Sequence, residues 1–232
     1  MGIKPAVVIY THTDMVDVWK VFFGQHKKYM SEYKTYVCVN KHHNDIPSEY
    51  IQVYYDESKS YTERLVESLA QINEEIIMFT HEDMILFDTP NHEYIEKYTQ
   101  YISENLAESI KLIFAGSNQI KSVIDDSLVY NDYSKLSIQP TIMKKDVMYK
   151  TALGVGSMNI WNFEQAIVSA GRDYSVLFGT EKKRGIYHYD SIVYPYIATA
   201  INKGKWNYSE YEKEMESLFR EYDIVPFERG IV

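Results

Sequence analysis

The sequence predicts an α/β fold with a mixed, mostly parallel central sheet flanked by helices. The first observation behind this class is the order of apolar patterns in residues 1–90, which reads strand, helix, strand, strand, helix, strand. The second is that the 232 residues are 45% hydrophobic, so the chain can bury a sizeable core. Because neither a repeat nor a linker interrupts the pattern, we expect a single domain over residues 1–232.

Each element of the first half has a physical reason. AVVIY (6–10) is a continuous apolar run, which is typical of a central strand. Residues 14–30 repeat apolar side chains at helical spacing, which predicts an amphipathic helix. The other elements expected in this half are strands at 35–40, 50–55 and 76–79, and a helix opened by the capping box SYTE, where Glu63 follows Ser60 by three residues.

The second half is less regular but continues the alternation of helices and strands. The expected elements are a helix that follows Asn91 and runs to about 106, a strand at 109–114, a strand or turn passing into a helix at 136–153, a helix at 161–171, a strand at 174–179, a polar loop at 180–185, and a last helix opened by a capping box at Ser209–Glu212.

Charge and composition exclude several classes of protein. The formal net charge is −9, from 24 basic and 33 acidic residues, so a nucleic-acid binder is not expected. No apolar run approaches the ~20 residues that span a bilayer, and residues 1–14 do not resemble a signal peptide. A single cysteine, Cys38, excludes an internal disulfide and a cysteine metal cluster. We therefore expect a cytoplasmic protein without a membrane span.

The segment IIMFTHEDMILFD (76–88) places two acids between two apolar runs. Glu82 and Asp83 follow the fourth strand, at the end where open α/β sheets bind ligands. Two adjacent carboxylates cannot both remain ionised and unpaired there without a raised pKa, and a divalent cation such as Mg²⁺ or Mn²⁺ removes that conflict. The alternative interpretation is a salt bridge or a helix cap made by an acidic turn.

Several common signatures are absent. YTHTD stands after the first strand, where a dinucleotide-binding protein would carry GxGxxG. Neither a P-loop nor a GxSxG motif occurs in the chain. His12 closes the first strand, and we expect it to line the cleft at the strand ends.

The order of five segments resembles that of GT-A-type nucleotide-sugar glycosyltransferases, especially small viral and bacterial ones. These segments are VVIYTHTD, SYTERLVESLAQI, IIMFTHEDMILFD, LSIQPTIMKKDVM and WNFE, within a resemblance that covers residues 4 to 208. The chain departs from the pattern at His81, where a strict DxD motif has aspartate, and at Met143, where tryptophan is usual. The resemblance implies a GT-A-like (Rossmann-like) domain, with its nucleotide-binding half at about 1–90 and its acceptor-binding half at about 91–232.

The resemblance also implies a set of site residues. Metal binding of Mn²⁺ or Mg²⁺ is expected of Asp83, Glu82 and His188. Binding of the nucleotide-sugar donor is expected of Tyr10, Thr11, His12, Thr13, Arg64, Glu82, Lys183 and Arg184. Gln139 and Trp161 are expected to bind a carbohydrate or glycan acceptor, and Glu164 to act as the catalytic base of an inverting reaction.

Alternatives stay open for the function and for single residues. A sugar nucleotidyltransferase shares the sheet and the metal, and a degenerate sugar-binding relative would retain the fold without catalysis. The alternative explanation of Glu164 is an acid near a helix N-terminus, stabilised by the helix dipole. Arg64 is equally explained as a solvated surface residue, and residues 180–185 as a surface loop.

Overall fold

The computed structural model describes residues 2–114, 120–121, 124–131, 138–167, 173–176, 179–184 and 188–232. The strands are β1 (Ala6–Tyr10), β2 (Thr35–Val39), β3 (Ile51–Tyr54), β4 (Ile76–His81), β5 (Ser109–Lys111), β6 (Ile120–Lys121), β7 (Leu128–Asn131), β8 (Thr141–Lys144), β9 (Asp173–Val176), β10 (Gly179–Arg184), β11 (His188–Ser191), β12 (Ile201–Asn202) and β13 (Lys205–Trp206). The helices are α1 (Val16–Met30), α2 (Tyr61–Ala70), α3 (His92–Ser103), α4 (Lys145–Val155), α5 (Ile160–Ile167), α6 (Glu212–Glu221) and α7 (Pro226–Arg229).

The central sheet has the strand order β3-β2-β1-β4-β8-β5-β9-β7-β6 in the described part of the chain. Strands β3, β2, β1 and β4 run parallel to one another, and β8 is antiparallel to both of its neighbours. Strand β9 is parallel to β5, and β7 is antiparallel to β9 and to β6. Seven of these nine strands therefore point the same way, and only β8 and β7 are reversed, which confirms the predicted mixed, mostly parallel sheet.

Side chains of β1 show how the sheet is covered on both faces. Val7 and Ile9 enter one hydrophobic cluster, which also holds Trp19 and Phe22 of α1. Ala6, Val8 and Tyr10 enter the cluster on the opposite face, together with apolar residues of α2, α4 and α5. Because successive strand residues point to opposite faces, a continuous apolar run is the pattern that two covered faces require.

Of the two capping boxes that the sequence predicts at helix N-termini, the structure contains one. Ser60 caps α2 as predicted: its side chain accepts from the backbone N–H of Glu63, and the Glu63 carboxylate accepts from the backbone of Ser60. The capping box predicted at Ser209–Glu212 is wrong, because α6 begins at Glu212 and its N-cap Tyr211 makes no side-chain cap bond. The backbone N–H of Ser209 instead donates to the carbonyl of Val232, which draws this segment to the C-terminal residues.

The predicted polar loop at 180–185 is also wrong over residues 180–184. These residues belong to β10, which pairs in antiparallel fashion with β11. The polar sequence did not predict this strand, because strand formation here depends on pairing with β11 rather than on an alternation of apolar residues. Within the described ranges, no helix is both long enough and apolar enough to cross a membrane.

Candidate active site

A cleft of about 730 Å³ opens at the carboxyl ends of β1 and β4. One wall is the turn after β4, another is α5, and a third comes from the hairpin β12–β13 and the residues before it. Eight of the thirteen residues that the sequence predicted for the site line this cleft: Tyr10, Thr11, His12, Glu82, Asp83, Gln139, Trp161 and Glu164. Residues from both halves of the chain therefore meet at one edge of the sheet, where open α/β folds bind ligands.

Aromatic packing fixes the floor of the cleft. Tyr10 lies beside His81 in the register of β1 and β4, and its ring stacks on Tyr55 with the ring centroids 5.2 Å apart. Tyr61 meets the Tyr10 ring edge-on at 5.0 Å, and its hydroxyl lies 3.2 Å from Nε2 of His81. Burial lowers the pKa of His81 to about 4, so this imidazole is neutral at physiological pH.

Thr11 ties the end of β1 to its surroundings. Its hydroxyl accepts a hydrogen bond of 2.7 Å from Nε1 of Trp19, and its carbonyl accepts one of 2.6 Å from the Tyr55 hydroxyl. The Thr11 side chain also hydrogen-bonds the carboxylate of Glu82. Thr11 thus links the end of β1, where nucleotide binding is predicted, to the acidic turn after β4.

The two acids after β4 lie in the cleft wall at a cost in electrostatic free energy. Burial and the neighbouring Asp83 carboxylate raise the pKa of Glu82, and hydrogen bonding to Thr11 offsets part of this rise. Burial likewise raises the pKa of Asp83. Neither side chain forms an ion pair within the part of the chain that the structure describes, so the alternative of a salt bridge is not supported.

The apolar run after the acids is explained by a facing segment. Residues 84–86 are buried, and the chain at 193–200 runs alongside them. The backbone N–H of Ile197 donates to the carbonyl of Ile85 at 2.8 Å, and that of Ala200 donates to the backbone carbonyl of Asp83 at 2.7 Å. This pairing fixes the backbone of the turn, so that its two carboxylates are presented from a rigid support.

The donor set of this turn fits a hard divalent cation. Oxygen ligands suit Mg²⁺ and Mn²⁺, and an unneutralised carboxylate pair is what a cation would relieve. Among the described residues there is no group of three or more His, Cys, Asp or Glu that could hold a metal. A cation held by Glu82 and Asp83 would need water or ligand oxygens, or residues outside the described ranges, as its remaining ligands.

Helix α5 forms the wall that carries the predicted base. Glu164 is half-buried, and burial raises its pKa while Lys111 lowers it. Trp161 is 71% exposed at the same wall, so its indole is available to a ligand. Phe163 is fully buried against Tyr61, at 5.8 Å between ring centroids, so its ring is not available to stack on a ligand.

The position of Glu164 within its helix also bears on the alternative explanation. Helix α5 begins at Ile160, and its first turn contains no acidic residue. A carboxylate in the second turn gains little from the helix dipole, whose effect fades beyond the first turn.

Gln139 lies on another part of the cleft lining, where its Oε1 accepts a hydrogen bond of 2.6 Å from the Tyr196 hydroxyl.

Two predicted donor-binding residues lie next to the cleft rather than in its lining. Thr13 is bonded to Asn40, which donates to the Thr13 hydroxyl at 3.1 Å. Arg64 lies over the ring of Tyr55, at 5.6 Å from the ring centroid, and donates to backbone carbonyls at residues 57 and 59. Arg64 thus packs against the aromatic floor of the cleft. It is also close enough to Tyr10 to oppose the rise that burial causes in the pKa of that hydroxyl.

Of the two basic residues predicted to bind the donor from residues 180–185, the structure describes the side chain of Arg184, which does not line the cleft. Arg184 pairs with Asp190 at 3.0 Å and with Glu214, and its guanidinium lies 5.0 Å from the ring centroid of Tyr211. The side chains of Lys183 and His188 lie outside the described residues, so their assignments remain predictions.

Thr199, Lys203 and Lys111 are among the residues in or near the cleft that sequence reasoning missed. Thr199 and Lys203 line it from the side of the hairpin β12–β13. Lys111, the last residue of β5, is buried and close enough to Glu164 to lower its pKa. The one available signal was topological, since β5 points the same way as β1 and its end must reach the same edge of the sheet.

Comparison with known proteins gives a fold but no family. No protein-family model matches the chain, and no curated protein matches it. Among solved structures, TarS of S. aureus is similar with a TM-score of 0.50 and 14% identity, over 94% of this chain and 39% of that one. The chain therefore spans about two fifths of the length of that relative.

Two further similar structures come from different enzyme classes. A UDP-glucose pyrophosphorylase complexed with UDP-glucose has a TM-score of 0.47 and 9% identity, over 76% of this chain and 91% of that one. The mannosyltransferase PcManGT of Pyrobaculum calidifontis, in complex with GDP-Man and Mn²⁺, has a TM-score of 0.41 and 11% identity, over 67% of this chain and 48% of that one. The likeness to TarS shows the fold alone: the chain has a GT-A-like, Rossmann-like fold.

Proposed function

We propose that this protein is a metal-dependent glycosyltransferase that moves a sugar from a nucleotide-sugar donor to an acceptor hydroxyl, with inversion at the anomeric carbon. The single observation that carries the proposal is the division of the cleft into two acidic walls. Glu82 and Asp83 lie at the end of β4, whereas Glu164 lies on α5 beside the exposed ring of Trp161. A displacement needs this separation, because the leaving group and the nucleophile must occupy opposite sides of the sugar.

The acidic turn is assigned to the leaving-group side. Glu82 and Asp83 would hold a divalent cation, with Asp83 as the principal ligand. When bound, such a cation neutralises charge on a departing diphosphate. The nucleoside is assigned to the end of β1, where Tyr10, Thr11 and His12 line the cleft.

The wall formed by α5 is assigned to the acceptor. An exposed tryptophan offers a flat apolar surface for a pyranose ring, and Gln139 adds an amide for hydrogen bonds to hydroxyl groups. The acceptor oxygen attacks the anomeric carbon and gives its proton to the Glu164 carboxylate. The bond from the anomeric carbon to the phosphate oxygen breaks, and the nucleoside diphosphate leaves with that electron pair.

Burial prepares Glu164 for this role. The raised pKa makes its carboxylate a stronger base than an exposed glutamate, while the positive charge of Lys111 opposes full protonation. Turnover is therefore expected to rise with pH through the pKa of Glu164, because only the deprotonated carboxylate accepts the proton.

A panel assay tests the function. The protein is incubated with UDP-, GDP- and CDP-sugars, Mn²⁺ and a set of free sugars as acceptors, and released nucleoside diphosphate is measured. Release supports a glycosyltransferase. Exchange of labelled pyrophosphate into a nucleoside triphosphate identifies a nucleotidyltransferase. If neither reaction occurs, both enzymatic functions are contradicted and a non-catalytic sugar-binding protein is favoured.

The role of Glu164 has its own test. Replacing a general base typically costs ~10²–10⁴-fold in rate, so Glu164→Gln should lower kcat by about that factor with donor affinity nearly unchanged. The isosteric amide keeps the packing of α5, and Glu93→Gln, at an exposed position of α3, is the matched control. Near-normal turnover of Glu164→Gln, or a product that retains the donor configuration, would contradict this assignment.

A further inference from the structure

The third wall of the cleft contains unusual backbone conformations. Four non-glycine residues in the described part of the chain have positive φ angles: Asn105 (60°), Thr199 (69°), Lys203 (50°) and Asp223 (51°). Asparagine and aspartate are enriched in this left-handed region, whereas a β-branched residue there is an outlier. The two residues of unfavoured type, Thr199 and Lys203, both line the cleft, and the other two do not.

The path of the chain does not require either side chain. Lys203 and Gly204 are the central pair of the two-residue turn between β12 and β13, and positive φ at both positions is the type I′ geometry that favours Asn-Gly. Asparagine at position 203 would therefore relax the turn. Glycine at position 199 would adopt the same φ without a steric penalty. Because asparagine at position 203 or glycine at position 199 would remove this strain, we infer that the side chains of Lys203 and Thr199 have a role in the site.

Contacts from outside the cleft hold this backbone in place. The Asn207 side chain donates to the carbonyl of Thr199 at 3.2 Å. Arg229, which pairs with Asp17, donates to the carbonyl of Gly204 at 3.1 Å. A strained conformation persists only where its surroundings over-determine it, and these bonds on either side of the turn meet that condition.

The chemistry of the wall indicates its ligand. Lys203 is the one lysine or arginine among the described lining residues, in a cleft whose other walls carry Glu82, Asp83 and Glu164. Its ammonium is exposed and forms no ion pair within the described ranges. Because the Lys203 ammonium is not paired with those acids, it can bind an anionic group of a ligand, and Thr199 adds a hydroxyl donor to the same wall of the cleft.

We propose that Thr199 and Lys203 recognise a phosphoryl group of the ligand, and that the strained backbone is retained because it presents these two side chains to the cleft. This inference rests on the proposed function, in which the donor carries a diphosphate. The same oxygen chemistry belongs to the donor diphosphate and to any phosphate on the acceptor, so the experiment contains one arm for each source.

The test combines stability with affinity. Lys203→Asn and Thr199→Gly are compared with wild type and with two controls, Lys205→Asn on the same hairpin and Asp223→Gly at a positive φ outside the cleft. Thermal unfolding is measured first. Calorimetry then gives Kd for UDP, GDP, CDP and ADP with Mn²⁺ and for the corresponding nucleosides, and a second arm titrates inorganic phosphate into protein saturated with the nucleoside diphosphate that binds.

Relief of strain should raise the Tm of Lys203→Asn and Thr199→Gly. Lys203→Asn should weaken nucleoside diphosphate binding about tenfold, as expected for loss of one charge-assisted hydrogen bond, with no effect on the nucleoside. Thr199→Gly should weaken the same binding, and Thr199→Ser should restore it by returning the hydroxyl. The controls should bind as wild type does.

Different failures have different meanings. A wild type that binds none of the nucleoside diphosphates contradicts the proposed function itself. A wild type that binds them, with Lys203→Asn binding equally well in both arms, overturns only the phosphoryl role. Weakening confined to the inorganic phosphate arm assigns the two residues to a phosphate on the acceptor. Unchanged or lower Tm values for both variants overturn the strain argument.

Discussion

Replacing Asp83 by asparagine is expected to stabilise the metal-free protein at neutral pH and to remove its response to metal. The reason lies in the half-buried carboxylate pair after β4. Burial raises the pKa of both carboxyls, and the charge of Asp83 adds to the rise at Glu82. The ionised pair therefore destabilises the folded chain until a cation neutralises it. Asparagine has nearly the same shape and carries no charge, so it relieves this repulsion without creating a cavity.

The size and the sign follow from linkage. Each unit by which folding raises a pKa corresponds to ~1.4 kcal/mol at a pH above both values. Removal of one charge from a mutually repelling pair should therefore raise the free energy of unfolding by roughly 1–3 kcal/mol. Because the folded-state pKa values lie above the unfolded values of about 4, the wild type loses stability as the pH rises from there through the folded-state values. The advantage of Asp83→Asn should thus be larger at pH 8 than at pH 5.

Urea unfolding followed by circular dichroism measures this effect. Wild type, Asp83→Asn and the exposed control Glu108→Gln are compared at pH 5 and pH 8, in EDTA and in Mn²⁺. Mn²⁺ at a hundred times its Kd should stabilise the wild type by about 2.7 kcal/mol and leave Asp83→Asn unchanged. The reasoning is refuted if Asp83→Asn is less stable than wild type in EDTA at pH 8, or if it gains as much from Mn²⁺.

Three further substitutions have distinct expected outcomes. Trp161→Ala should raise the KM for a sugar acceptor several-fold without lowering Tm, because the ring is 71% exposed; an unchanged KM counts against acceptor binding. Thr11→Val should lower stability by roughly 1–3 kcal/mol in urea, since it leaves the buried Nε1 of Trp19 without its acceptor; no loss would show that this bond contributes little. Arg64→Ala, which uncovers the ring of Tyr55, should raise the KM for the donor. A change in KM below about twofold would show that Arg64 does not contribute to donor binding.

The fold and most of the cleft were predictable because they depend on strand periodicity and direction. The run at 6–10 indicated a strand covered by helices, and its parallel partner at 76–81 had to end at the same edge. Once two strands share an edge, the residues that follow them must be neighbours. This is why Tyr10, His12 and Asp83 could be placed in one cleft without knowledge of their distances.

The remaining features depend on non-local contacts that have no local pattern. Whether Phe163 or Trp161 would face the ligand depended on the packing of α5 against Tyr61. Lys111 stood within an apolar stretch, and its burial followed only from the position of β5 inside the sheet. The positive φ of Thr199 is imposed by its surroundings, so its residue type argued against the conformation that it adopts.

The charges of the cleft bear on the choice between the proposed glycosyltransferase and its alternative, a sugar nucleotidyltransferase. A nucleotidyltransferase must bring a nucleoside triphosphate and a sugar phosphate together, which requires compensation of several negative charges at once. The described lining offers three carboxylates and one lysine, and one cation at Glu82 and Asp83 would not reverse that balance. Attack by one phosphate oxygen on another phosphate also needs no buried base, because the nucleophile is already ionised. Transfer to a neutral hydroxyl needs such a base, which is the role that we propose for the half-buried Glu164, whose pKa is raised by burial.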